Sequence, residues 1–310
     1  MRRLTLNDPL PDRLKGAIIA LGNFDGFHLG HQAVVGRAVA RGHHERRPVI
    51  VATFDPHPVH FFKPDLPPFR LTSIDQRERL FAHAGADAML VFPFDADLAA
   101  TDAEDFVTEL LGARLRAAGV VTGEDFTFGR GRGGNAEKLR EWGAEQDIEA
   151  ETVAAVDVDG ELVSSSRVRA ALAAGDPGTA TRLLTRPFAV EAVVERGDGR
   201  GRGLGYPTAN MRLGEYQRPA YGIYSVRVRL GDDREYPGVA SFGIRPTFEP
   251  AEELLEAHLF DFDEDLYGRP IEVALHHYIR AEEKFDSLGA LTARMDGDAA
   301  EARRLLALPE

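Results

Sequence analysis

Two histidines three residues apart, His28 and His31, close the segment Gly22-Asn23-Phe24-Asp25-Gly26-Phe27-His28-Leu29-Gly30-His31. An apolar run at 17–21 precedes it and a helical pattern follows. Three glycines at a strand-to-helix turn let the backbone approach a ligand closely, and the amides that open a helix favour anions. Phosphate suits that environment. Each imidazole can donate N–H to a phosphate oxygen, and a reference pKa of about 6.5 lets bound phosphate draw the ring protonated. Such a pair would stabilise charge building on a pyrophosphate leaving group. The competing readings are a two-histidine metal site, which lacks an obvious third ligand, and two satisfied surface histidines.

Three further constellations could carry chemistry. Ser164, Ser165 and Ser166 with Arg167 and Arg169 precede the run Ala170-Ala171-Leu172-Ala173. A helix N-cap explains one serine. Three hydroxyls and two guanidinium groups exceed that need, and a second phosphate-binding helix start, opposed to the first, would clamp a triphosphate. In Tyr206-Pro207-Thr208-Ala209-Asn210, Thr208 and Asn210 are hard oxygen ligands on alternate residues, suited to Mg²⁺ shared with nucleotide phosphates. A plain turn at Tyr206-Pro207 is the alternative. In the run 254–260, period 2 places Leu254, Glu256, His258 and Phe260 on one face and Leu255, Ala257 and Leu259 on the other. Both faces are partly apolar, so a carboxylate at 256 is costly unless used or paired; a solvated strand carboxylate is the plainer reading.

Elements able to position these residues are legible. Apolar runs at 16–21, 48–54, 88–92 and 118–122 read as buried strands, with amphipathic helices between them at 32–41, 75–84, 103–117 and 137–147. Strand and helix alternating at this spacing imply a parallel sheet with helices on both faces, whose ligands bind beyond the strand C-terminal ends. After Ala173-Ala174-Gly175-Asp176-Pro177-Gly178 the texture changes, and Arg186-Pro187 marks a boundary between residues 1–185 and 186–310. Strand-like runs at 188–194, 222–230, 236–242, 254–260 and 271–279 are separated by turns too short for crossover helices, which predicts an antiparallel sheet or barrel. A helix over 287–308 would close one end of it. Glycine-rich stretches at 129–134 and 197–205 read as mobile loops, with RGG-like nucleic-acid binding a weak option given the acidic charge.

Composition bounds the rest. The chain has 310 residues, no cysteine and a formal net charge of -13, with about -6 and -7 in the two halves. Disulfides and thiolate chemistry are excluded. Neither half is basic, which disfavours a broad nucleic-acid or anionic-membrane surface. No apolar run approaches the roughly 18 residues of a membrane span, and Met1-Arg2-Arg3 has no apolar stretch behind it, so a cytoplasmic location is expected. None of the four lysines, Lys15, Lys63, Lys138 and Lys284, completes a P-loop.

Taken together, G-N-F-D-G-F-H-L-G-H (22–31), T-F-D-P-H-P (53–58), G-E-D-F-T-F-G (123–129), S-S-S-R-V-R (164–169), G-R-G-L-G-Y-P-T-A-N (201–210), G-I-R-P-T-F (243–248) and L-E-A-H-L-F-D-F (255–262) resemble the bacterial bifunctional riboflavin kinase/FMN adenylyltransferases, or FAD synthetases. The resemblance implies a Rossmann-like α/β nucleotidyltransferase domain of the H-x-G-H type, followed by an antiparallel β-barrel riboflavin kinase domain with a C-terminal helix. It implies phosphorylation of riboflavin to FMN in the second half and adenylylation of FMN to FAD, with pyrophosphate release, in the first. ATP is the co-substrate of both and Mg²⁺ the metal. Carried over residue by residue, Gly22, Phe24, His28, His31, Asp125, Ser164, Ser165 and Arg169 would bind nucleotide in the first half. Phe54, Asp55 and His57 would lie beside the flavin or adenosine pocket. In the second half Gly203, Thr208 and Asn210 would bind nucleotide and metal, and Glu256 would be the base.

Two positions depart from the pattern: Ser241 stands where the family usually has Asn, and Ser166 where Thr is common. Arg280, Glu283, Lys284 and Phe285 match the segment leading to the terminal helix. Rival readings are an adenylyltransferase for another phosphorylated substrate, such as phosphopantetheine, in the first half, and a flavin- or RNA-binding regulator.

Overall fold

The computed structural model describes residues 1–197, 205–245 and 252–307. The chain forms two compact units, Met1–Pro67 with Ser73–Ser164, and Pro68–Thr72 with Ser165–Glu310.

The first unit is built on strands β1 (Arg2–Thr5), β2 (Ile18–Leu21), β3 (Val49–Asp55), β4 (Ala88–Pro93), β5 (Gly119–Gly123) and β6 (Glu149–Val153). All pair in parallel, in the order β1-β4-β3-β2-β5-β6. Between them run α1 (Leu29–Glu45), α2 (Pro58–Phe62), α3 (Ile74–His83), α4 (Ala96–Ala100), α5 (Ala103–Asp105, continued by π-helical turns at Phe106–Arg114) and α6 (Ala136–Ala144).

Burial on both faces explains why the strands read as continuous apolar runs rather than alternating ones. Ile19, Leu21, Ile50, Ala52, Leu90 and Phe92 enter one core with Phe106, Val107, Leu111 and Leu139. Ile18, Ala20, Val49, Val51 and Met89 enter the other with Val34, Val35, Ala38 and Phe81. The chain moves outward from β2 through β3 to β4, then returns to place β5 on the other side of β2. In sheets of this kind ligands bind beyond the strand C-terminal ends at the point of reversal, here at the ends of β2 and β5. The short strands β1 and β6 lie at the sheet edges and are absent from the sequence reading, since Arg2–Thr5 and Glu149–Val153 carry too little apolar residue to stand out.

A small hairpin follows, β7 (Asp157–Val158) with β8 (Glu161–Leu162), then α7 (Ser165–Ala173) and α8 (Pro177–Leu184). The second unit then forms an antiparallel sheet from β9 (Phe188–Val193), β10 (Ala209–Met211), β11 (Gly222–Leu230), β12 (Glu235–Arg245), β13 (Glu252–Leu259) and β14 (Pro270–Arg280), in the order β10-β13-β12-β11-β14-β9. Its two outer strands meet where the Glu195 amide donates to the Asn210 carbonyl at 2.8 Å, so the sheet curls toward closure at Asn210. Helix α9 (Leu288–Ala307) is held through Asp298, which is 5% exposed and accepts from Arg280 Nε at 2.9 Å and Nη2 at 2.6 Å.

The unit limit at Ser164/Ser165 and the expected boundary at 185/186 differ by α7 and α8. Both helices pack with the second unit: α8 lies against β9 and β14, and the Leu172 carbonyl accepts the Ala220 amide at 2.9 Å. Composition there is helical, like the first half, so it carries no trace of this allegiance.

Candidate active sites

The turn after β2 is held in an unusual backbone path. Phe24 (φ 49°), Gly26 (φ 86°) and Phe27 (φ 45°) all lie in the left-handed region, which is costly for a bulky side chain. Burial offsets the cost: Phe24 and Phe27 are 1% and 4% exposed, and both rings pack edge-on against Phe81 of α3. The turn delivers His28 to the N-cap of α1, where its Nδ1 accepts the His31 amide at 3.4 Å. The two imidazoles stack at 3.6 Å between centroids. An accepting Nδ1 makes Nε2–H the donor that the neutral His28 ring offers a phosphate. Gly30 permits the stack, because a Cβ there would lie 3.2 Å from the His28 ring. A two-histidine metal site gains no further ligands: among the described residues, no group of three or more His, Cys, Asp or Glu could hold a metal ion.

Beneath this turn lies a residue that sequence reasoning missed. Arg77 of α3 is 1% exposed, and its guanidinium approaches Asp25, 2% exposed, at 3.6 Å. Nη1 also donates to Thr53 Oγ1 at 3.1 Å, to the Asn23 carbonyl at 3.3 Å and to the Phe54 carbonyl at 3.4 Å. Thr53 in turn donates to the Asn23 carbonyl at 2.7 Å. A signal existed, for Arg77 lies one helical turn from both Ile74 and Phe81, on the apolar stripe of α3.

The other residues expected in the first unit lie at strand C-terminal ends. Asp125 is exposed in the turn after β5, and Gly22 directly follows β2. His57 caps α2, with Nδ1 accepting the Val59 amide at 3.2 Å. Phe54, Phe61, Phe62 and Phe94 form an aromatic cluster beyond β3 and β4, and Phe62 is 64% exposed. Only Phe54 of these was singled out in the sequence. Ser164 ends the first unit, whereas Ser165 opens α7 in the second. Arg169 is engaged within the second unit: Nε donates to the Phe69 carbonyl at 2.8 Å and the guanidinium lies 4.9 Å from the centre of the Phe69 ring.

In the second unit Asn210 pairs in register with Glu256, and Glu256 with Ser241, so the three form one row across β10, β13 and β12. Glu256 is half-buried, while Leu255, Ala257 and Leu259 on the opposite face are buried. Asn210 is 7% exposed, and its Nδ2 donates to the Thr208 carbonyl at 3.3 Å. Its amide sits over Gly197, where a Cβ would lie 2.6 Å from Nδ2. A pocket of about 570 Å³ opens against Thr208 and Asn210, lined further by Leu259, Phe262, Asp263 and Tyr267. Two oxygen-bearing side chains beside a pocket that Asp263, Glu264 and Asp265 also line fit a cation that completes its shell from nucleotide phosphates.

The approach to this row is pinned from outside. Tyr206 O–H donates to Asp296 of α9, and burial followed by that contact pushes the phenol up to about 12. His258 Nδ1 lies 2.9 Å from the Pro207 carbonyl. Gly203 and residues 246–248 of the expected motifs lie outside the described residues.

Comparison with known proteins matches each unit to a separate chemistry. Residues 10–167 match the FAD synthetase family and residues 184–306 the riboflavin kinase family. The bifunctional riboflavin kinase/FMN adenylyltransferase of Escherichia coli K12 is 38% identical over 294 residues, covering 95% of this chain and 94% of that one. Those of Pseudomonas fluorescens and Bacillus subtilis are 39% and 33% identical, each over more than nine-tenths of both chains. The crystal structure of a macrolide-efflux protein from Streptococcus pneumoniae shares the fold with a TM-score of 0.87 at 30% identity, covering 98% of this chain and 99% of that one. The chain belongs to the bifunctional riboflavin kinase/FMN adenylyltransferases, transferases of flavin-cofactor synthesis. Riboflavin, FMN, FAD and ATP are its substrates and products. No helix among the described residues is long and apolar enough to cross a membrane.

Proposed function

We propose that His28 and His31 steady the ATP phosphates during FMN adenylylation, and that Glu256 is the base of riboflavin phosphorylation. The observation that carries the first assignment is the imidazole stack at the start of α1, beyond the C-terminal end of β2 where the sheet order reverses. In this half an FMN phosphate oxygen attacks the α-phosphorus of ATP, and pyrophosphate leaves. The nucleophile is already anionic, so positioning and electrostatics suffice without a strong base. Within the first unit Gly22, the backbone of Phe24, Asp125 and Ser164 complete the nucleotide contacts, as the family resemblance implies. The exposed aromatic edge around Phe62 suits a flat isoalloxazine ring.

In the second half the nucleophile is the neutral ribityl 5′-hydroxyl. Glu256 takes its proton as the oxygen attacks the γ-phosphorus and ADP leaves. Thr208 and Asn210 would hold Mg²⁺, which neutralises charge on the β- and γ-phosphates. Gly203 contributes backbone to the same nucleotide site. We assign adenylyl transfer to residues 1–185 and the kinase to residues 186–310, and place the enzyme in the cytoplasm, where ATP is made. Net negative charge on both halves supports small-molecule partners rather than nucleic acid.

Chromatography of riboflavin, ATP and Mg²⁺ with purified protein, followed over time, tests this reading. FMN should appear first and FAD after it; formation of neither would overturn it.

A further inference from the structure

We propose that Arg77 is a positioning residue for adenylyl transfer, acting through Asp25 and the carbonyls of Asn23 and Phe54. The inference rests on the placement of that reaction at the His28–His31 turn.

Arg77 joins the ends of two neighbouring strands. Asn23 and Asp25 belong to the turn after β2, which carries His28 and His31; Thr53 and Phe54 belong to the end of β3, which leads to Asp55 and His57. One guanidinium therefore ties the C-terminal ends of β2 and β3 together from below, and the Thr53 hydroxyl links them a second time. Its planar fork satisfies carbonyls and a carboxylate at once, which a point charge on a flexible stem does less well. The ion pair is completely buried, so its members do not touch solvent-borne substrate.

Packing alone does not account for an arginine here. A buried ion pair gives little net stability over apolar residues of similar volume, and its best-attested use is to specify one arrangement. The arrangement specified is the left-handed path through Phe24, Gly26 and Phe27 that sets His28 at the N-cap. Misplacing such groups by about 1 Å can cost about 100-fold in rate.

The test is steady-state kinetics on the full-length chain, with FMN plus ATP and riboflavin plus ATP measured separately. Arg77→Met is expected to lower kcat for adenylylation about 10- to 100-fold, with KM for FMN nearly unchanged and riboflavin kinase activity intact. Arg77→Lys should recover part of the loss. If Arg77→Met does not fold, Thr53→Val, which removes one hydroxyl and keeps the shape, should lower the same kcat several-fold. Asp25→Asn and Arg77→Met should be non-additive in kcat, since each acts through the other. An unchanged kcat in both Arg77→Met and Thr53→Val would overturn the proposal. So would a parallel fall of both activities with melting temperature. Failure of His28→Ala to affect adenylylation would instead count against the site on which the inference rests.

Discussion

Asn210 faces Glu256 across β10 and β13, and the carbonyl of the same Asn210 accepts the Glu195 amide that brings the outer strands together. Sheet closure and the proposed phosphoryl-transfer site therefore share a residue. A side chain proposed to hold the metal, placed at the seam of the sheet, has its backbone paired on both sides, which limits its drift.

The two chemistries should separate by mutation. Glu256→Gln is expected to lower riboflavin phosphorylation about 100- to 10,000-fold, the range a general base supplies, while FAD formation from supplied FMN persists. His28→Ala should do the converse. Loss of both activities in either folded variant would contradict the assignment.

Gly197 should matter to the kinase through Asn210, whose amide supplies the three atoms nearest to where its Cβ would lie. A Cβ at 197 would meet the Asn210 amide at 2.6 Å and must displace it. Gly197→Ala is expected to raise the Mg²⁺ concentration for half-maximal kinase activity about tenfold, in line with the cost of disturbing a ligand's support. A Mg²⁺ titration of both activities checks this, with adenylylation as the control.

Among the contacts that hold helix α9 is one buried pair. Asp298 is buried and Arg280 holds it with a forked contact. Asp298→Ala would leave the Arg280 guanidinium with the Ala281 carbonyl at 2.8 Å and Glu283 at 3.9 Å as its remaining partners, so the loss of the buried carboxylate is expected to cost up to about 3 kcal/mol. The urea midpoint of the second unit should fall accordingly, with its m-value unchanged.

Asp176 supplies an acid-sensitive contribution. It caps α8, and hydrogen bonds from the Thr179 hydroxyl first and the Thr179 amide second hold its carboxyl below the ordinary value. A lowered folded-state pKa stabilises fully above the unfolded value, about 3.9, and that stabilisation is lost as pH falls through the folded one. Asp176→Ala should thus cost about 1 kcal/mol near neutral pH. The gap from wild type should close in strong acid, as melting curves from pH 7 to pH 2 would show.

Much of this architecture is legible in one dimension. Strands of the first unit announce themselves because burial on both faces makes them continuously apolar, as in Val49–Asp55. The spacing of His28 and His31 stands out because a helix start imposes local geometry, and the alternation around Glu256 because β13 has period 2. Edge strands were not legible: Arg2–Thr5 and Met211's strand Ala209–Met211 are short, and only their partners define them.

The sequence alone determined the two-part organisation, the type of sheet in each part and the residue types able to handle phosphate, since each follows from local periodicity and side-chain chemistry. Tertiary structure decided the rest. It brought Asn210 beside Glu256 from 46 positions away along the chain, and it buried Arg77 under a turn more than 50 residues earlier. It also joined α7 and α8 to the second unit. Each is a non-local contact whose free energy comes from desolvation and pairing after the chain has folded back on itself, and no local pattern encodes which distant partner will supply it.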